Sequence, residues 1–149
     1  MIRKLLISTL LGFMAWAVSA QGFAQDDVNE KRQKLMKGQS AASKAIKAAA
    51  SSKDYATIEA KAKDLMGSAA MIVSSFPAGS STGKTKAKSA IWKKSDEFAN
   101  DAKQLGKVAG ELAAAAKAGN DGEIAVKMKE IGAACSSCHK AFRAKNYSK

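Results

Sequence analysis

Both cysteines and the only histidine of this 149-residue chain fall within five positions, Cys135-Ser136-Ser137-Cys138-His139. A C-x-x-C-H run reads as a c-type haem attachment site. Two thiols three residues apart can each form a thioether with a vinyl group of one haem, and the adjacent imidazole then lies where it can bind the iron. That chemistry uses all three residues.

Competing readings of the same run fit less well. A redox pair of the thioredoxin kind is expected at the start of a helix, where the helix N-terminus lowers the first thiol's pKa, whereas this motif falls late in a helical segment. A structural zinc site needs four protein ligands, and the chain has no further Cys or His to supply them. A disulfide across two intervening helical residues is strained by poorly aligned Cβ vectors.

The N-terminus points the same way, because haem attachment of this kind belongs to exported proteins. Residues 1–24 read as a signal peptide: Arg3 and Lys4 form a positive n-region, Leu5 to Val18 an apolar h-region, and small residues follow. Cleavage is expected after Ala20 or Ala24. The apolar run is shorter than the roughly 20 residues of a spanning helix, so no membrane insertion is expected after processing. Residues 25–149 are then one domain.

Cleavage after Ala24 takes away Arg3 and Lys4 and no acid, which lowers the formal net charge from +12 to +10. A basic surface suits nucleic acid, an anionic membrane or an acidic protein. Export and the lack of an aromatic platform among the lysines argue against nucleic acid. A solvated helical surface and steering toward an acidic redox partner both remain.

Apolar residues recur at alternating spacings of three and four in four segments, which predicts an all-α, antiparallel four-helix bundle. The first runs from about Val28 to Ala50, with Val28, Leu35, Ala42, Ile46 and Ala49 on one stripe. The second, opened by Asp54 as N-cap, aligns Ile58, Ala62, Leu65, Ala69, Ile72 and Phe76. The third follows Ile91, Ser95, Phe98, Ala102, Leu105, Ala109 and Leu112. The fourth begins at Asn120, with Glu123 as capping-box partner, and aligns Ile124, Met128, Ile131, Cys135, Cys138 and Phe142, so both cysteines sit on the seam. Short connections make hairpins of the first and last pairs, and the segment around Pro77 is a loop. Much of the seam is alanine, which leaves volume that a large apolar cofactor would fill.

An exported four-helix chain with C-x-x-C-H on its last helix, followed by Lys140-Ala141-Phe142-Arg143, resembles the class II c-type cytochromes, which comprise cytochrome c′ and its low-spin relatives of the c-556 type. The segments Arg32-Gln33-Lys34-Leu35-Met36, Phe76-Pro77-Ala78-Gly79 and Ala87-Lys88-Ser89-Ala90-Ile91-Trp92 also look like the family's pattern. One departure is Phe142, where many members carry tyrosine.

The resemblance implies one covalent haem c on Cys135 and Cys138, with His139 as proximal ligand and the other face of the iron turned toward the first helix at Met36. In cytochrome c′ the matching residue is an apolar blocker; in the low-spin relatives the matching methionine binds. Thioether ligation and packing over an open iron face are both open to Met36. Arg32, one turn before it, suggests a propionate contact, as do Gln33 and Lys88. Arg143, one turn after His139, is expected near the imidazole, and Trp92 in the core. The function expected is periplasmic electron transfer without enzyme activity. The alternatives are a gas-binding cytochrome c′ and a thiol-disulfide oxidoreductase. The resemblance further implies redox protein partners and a homodimer.

Overall fold

A computed structural model describes residues 19–146, with side chains from residue 27 onward. The n- and h-regions of the expected signal peptide lie outside the described residues. Five helices follow in order: α1 (Ser19–Ser51), α2 (Tyr55–Ala70), α3 (Ala90–Lys93), α4 (Ser95–Lys117) and α5 (Asp121–Phe142), with a 3-10 turn at Val73–Ser75. The long four, α1, α2, α4 and α5, make the expected all-α bundle, and α3 is a single turn. No strand occurs among the described residues, where Ala87 and Arg143 form one isolated antiparallel bridge.

Local chemistry starts the helices where expected. Asp54 caps α2, its Oδ1 accepting from the Thr57 amide at 3.0 Å and its Oδ2 from the Thr57 hydroxyl at 2.6 Å. Asn120 caps α5 by accepting from the Glu123 amide at 3.1 Å. The hairpin turns use left-handed backbone at Lys53 (φ 55°) and Gly119 (φ 63°); at the second site glycine carries no Cβ penalty. Across that end of the bundle Asp121 accepts from Lys53 Nζ at 2.6 Å and Tyr55 Oη at 2.8 Å, which ties the two turns together.

Several expectations are corrected. Helix α1 begins at Ser19 rather than near Val28. Helix α2 stops at Ala70, so Ile72 lies past its end and Phe76 in the following loop. The residue before a proline is disfavoured in helical conformation, and Phe76, preceding Pro77, takes φ −123° and ψ 61°. The third segment is broken at Lys94 (φ −129°, ψ 50°), which separates α3 from α4 and leaves Ser95 exposed. On α1 the lower stripe of Ala42, Ile46 and Ala49 is buried, but the upper half turns inward Asn29, Arg32 and Gln39, while Val28 and Leu35 are only half-buried. That half of α1 faces a loop and a cavity instead of a neighbouring helix.

The core is built by α2 against α4. Ile58, Ala62, Leu65 and Ala69 meet Leu105, Val108, Ala109 and Leu112, all buried. Small residues let the two helices approach: a Cβ on Gly106 would lie 3.6 Å from Ala69 Cβ. Helix α1 packs on α2 and α5 on α4, while α1 and α5 make little direct contact. Phe98 joins the layers, stacking edge-on against Phe76 at 5.1 Å and against Phe142 at 5.2 Å.

Arg32 holds the middle loop to α1. It is 4% exposed. Its Nε donates to Ser75 O at 2.7 Å and its terminal nitrogens to Ser80 O at 2.9 Å, Asn29 Oδ1 at 3.1 Å and Ser80 Oγ. The guanidinium also lies 4.3 Å from the Phe76 ring centroid. Burial pulls its pKa below the ordinary arginine value, which still leaves it charged at neutral pH. Arg32→Ala should therefore lower stability by roughly 3 kcal/mol, since it strands several acceptors of a charged donor, and Arg32→Lys should recover little of this because an ammonium lacks the planar fork. Chemical denaturation midpoints measure both; an unchanged midpoint for either variant contradicts this account.

Candidate functional site

The space between α1 and α5 is a cavity of about 620 Å³, within the range of small-molecule and cofactor sites. Cys135, Cys138 and His139 line it from α5, and Met36 lines it from α1. Ile72, Phe76, Ile91, Phe98, Leu105 and Ile131 supply its apolar wall. Both cysteines are free and half-buried, so the expected seam position holds in modified form: they face the cavity rather than a helix. Helical spacing explains the alignment, since positions 128, 131, 135 and 138 share one side of α5.

Electrostatics suit the thiols and imidazole to a bound group rather than to redox exchange. Burial raises the Cys135 thiol's pKa. Burial, helped by the charges of Asp101 and Cys135, pushes Cys138 up to about 11. A reactive redox cysteine has the opposite shift. His139 is lowered by burial and then by the nearby Arg143, which favours the neutral imidazole that binds metals. Among the described residues no group of three or more His, Cys, Asp or Glu could hold a metal ion. An iron here would need most of its ligands from a macrocycle, and the cavity's volume and apolar wall fit one.

Other expected residues divide. Gln33 and Arg143 line the cavity, and Arg32 reaches its edge, but four of the five guanidinium N–H groups are already given to protein acceptors. Lys88 does not line the cavity. Its Nζ donates to Lys140 O at 2.9 Å and its amide to Phe142 O at 2.9 Å, which with Ala144 N to Lys86 O at 2.8 Å latches the end of α5 to the segment before α3. Trp92 packs against the core as expected, its indole N–H donating to Pro77 O at 2.9 Å. Lining residues not singled out from the sequence include Gln39, Ser43, Lys37, Lys47, Lys86 and Asp101. Their signal on α1 is the series Asn29, Arg32, Met36, Gln39, Ser43, polar except for the methionine, which follows the same alternation of three and four as an apolar seam.

The model of the family described as Cytochrome C′ matches residues 27–143. The chain belongs to the cytochrome c′ family. Its cofactor is accordingly a c-type haem with iron. Cytochrome c-556 of Agrobacterium fabrum is 34% identical over 119 residues, 78% of this chain and 80% of that protein. Cytochrome c′ of Rhodospirillum rubrum is 41% identical over 70 residues, 46% of this chain, so the match spans about half of that relative's length (48%). Among solved structures, cytochrome c′ of Thermochromatium tepidum superposes with a TM-score of 0.74 at 25% identity, covering 81% of this chain and 97% of the other. A cytochrome c prime variant from Alcaligenes xylosoxidans, solved as a nitric oxide complex, has the same fold at 24% identity, with a TM-score of 0.73 over 82% of this chain and 97% of the other. The expected fold and cofactor are both borne out.

Lys88 provides a test of the cavity's boundary. Because its side chain is spent on the C-terminal latch, Lys88→Ala should leave haem content and the ferric absorption spectrum unchanged and cost at most about 1 kcal/mol in stability. A spectral change comparable with that of a ligand variant would place Lys88 at the haem after all.

Proposed function

We propose that this protein is a periplasmic monohaem electron carrier whose haem is attached through Cys135 and Cys138. The observation that carries the reading is that both thiols, the imidazole of His139 and the thioether of Met36 line one cavity between two helices. When bound, the haem supplies one-electron chemistry by alternating between ferric and ferrous iron. The chain's own residues hold and tune it. His139 from α5 and Met36 from α1 would supply ligands to the iron, a pairing that would raise its reduction potential. Arg143 beside His139 favours the less positive, ferrous iron. Gln33 and the remaining N–H of Arg32 are the propionate contacts this reading retains.

Partner choice follows from charge. Lys37, Lys47, Lys86 and Arg143 line the cavity and Asp101 is the acid among its lining residues, so the haem edge lies in a positive field that steers an acidic redox partner toward it. No helix among the described residues is long and apolar enough to cross a membrane. A homodimer is retained from the family resemblance alone.

A second reading, a five-coordinate cytochrome c′ that binds nitric oxide or carbon monoxide, draws on the Alcaligenes xylosoxidans fold neighbour. The electron-carrier reading is favoured by the extent of the match to a cytochrome c-556 and by Met36 on the cavity wall. The raised thiol pKa values speak against the thiol-disulfide alternative.

Two measurements test this. Intact mass of the exported protein should equal the processed chain plus one haem, with no alkylatable thiol. The bare chain mass with two free thiols, from a host competent in haem attachment, overturns the whole assignment. Absorption spectra should show a low-spin wild type, and Met36→Ala should become high-spin, bind carbon monoxide faster and have a lower reduction potential. A wild type that is already high-spin, with a spectrum unaltered by Met36→Ala, selects the gas-binding reading.

A further inference from the structure

Gln39 is a buried polar side chain on the cavity wall whose amide nitrogen finds no acceptor within the protein. The residue is 8% exposed, and its Nε2 is sealed from solvent with no acceptor. The Ser43 hydroxyl, one turn on, is turned to the Gln39 backbone carbonyl, donating at 2.9 Å, and leaves the side-chain amide unanswered. A buried N–H without a partner is costly and rare in native structures, and a cofactor or its ligand is a common explanation.

Position narrows the missing acceptor. Arg32, Met36 and Gln39 occupy one side of α1, with Arg32 four residues before the methionine and Gln39 three residues after it. On the proposed reading, propionates directed toward Arg32 and Gln33 would lie on the N-terminal side of Met36 along α1, whereas Gln39 follows it. A porphyrin face presents no strong acceptor of its own. What remains near Met36 is the group that occupies the distal position of the iron. The terminal torsion of a glutamine is broad, so the amide can turn its N–H groups toward that position without moving the helix.

We propose that Gln39 is the hydrogen-bond donor to an exogenous neutral diatomic on the distal face of the haem, of the class of nitric oxide and carbon monoxide, once Met36 withdraws. The inference rests on the reading that Met36 marks the distal side. It makes Gln39 a specificity-determining residue: a diatomic whose outer atom gains negative charge on ferrous iron is held longer than one whose outer atom stays apolar. Met36 then sets access to the distal site and Gln39 sets retention within it.

The test uses carbon monoxide as probe in the haem-loaded Met36→Ala protein, so that ligation by Met36 does not enter the comparison. Against this background, Met36→Ala/Gln39→Leu removes the donor, and Met36→Ala/Gln39→Glu, compared at alkaline pH so that its carboxyl is ionised, keeps the volume but replaces the donor by an acceptor. A hydrogen bond lowers the C–O stretching frequency. The expected order is lowest with Gln39, higher with leucine and highest with glutamate, with dissociation roughly 3- to 10-fold faster in the leucine variant, the factor one ordinary neutral hydrogen bond sustains. Equal covalent haem content and circular dichroism across the three proteins establish a common fold, and the glutamate variant carries the test if the leucine variant does not accumulate. Identical stretching frequencies and dissociation rates overturn the role of Gln39 while leaving the distal assignment of Met36 intact. Failure of carbon monoxide to bind any of the haem-loaded proteins overturns that assignment and the proposal with it.

Discussion

A gap between the first and last helices organises this molecule. In an ordinary four-helix bundle α1 and α5 would close the ring by packing side chain against side chain; here a cavity of about 620 Å³ separates them. Everything else compensates for that opening. The dry contact between α2 and α4, built on Ile58, Leu65, Val108 and Leu112, is the part of the protein that is packed without a cofactor. Alanine and glycine along that contact bring the backbones close enough for four modest side chains to suffice. The cavity lies on the other side, between α1 and α5, where the fold lacks a helix–helix contact of that kind.

Keeping the gap at the right width falls to the two ends of the bundle. At one end Asp121 joins the turns before α2 and α5 through Lys53 and Tyr55. At the other, Arg32 gathers the middle loop, and the edge-on rings of Phe76, Phe98 and Phe142 lock that loop to α4 and α5. The latch between residues 86–88 and 142–144 finishes the C-terminal turn just past His139. A helix flanked on both sides by hydrogen-bonded anchors holds His139 in a fixed place on the cavity wall.

Cap residues and the period of the apolar pattern were legible because they act within a few residues of chain. Asp54 and Asn120 begin helices through contacts three residues away, and the buried positions of α2 and α4 follow the spacing expected of them. Less legible was the upper half of α1. Val28 and Leu35 satisfied an apolar period, yet Asn29, Arg32 and Gln39 are the residues that turn inward. Hydrophobic periodicity assumes that a buried face meets another apolar face, and this one meets a loop carbonyl cluster and a cofactor cavity. The break at Lys94 was also silent: neither proline nor glycine marks it, and it is set by how Ile91 and Phe98 must each reach the core.

By itself the sequence carried the C-x-x-C-H spacing, the helical class and the resemblance to the family, because two thiols and an imidazole at fixed spacing are a local pattern and because helices are written in local periodicity. Only the tertiary structure decided which residues share the cavity. It brought Met36 and Gln39, about a hundred positions away in the chain, onto the wall facing Cys135, Cys138 and His139, turned Arg32 into the clasp of the middle loop, and sent Lys88 to the C-terminal latch instead of the haem. Those assignments depend on how helices distant in sequence rotate about their axes and how far apart they stand, quantities set by packing against the rest of the molecule and not by any neighbour along the chain.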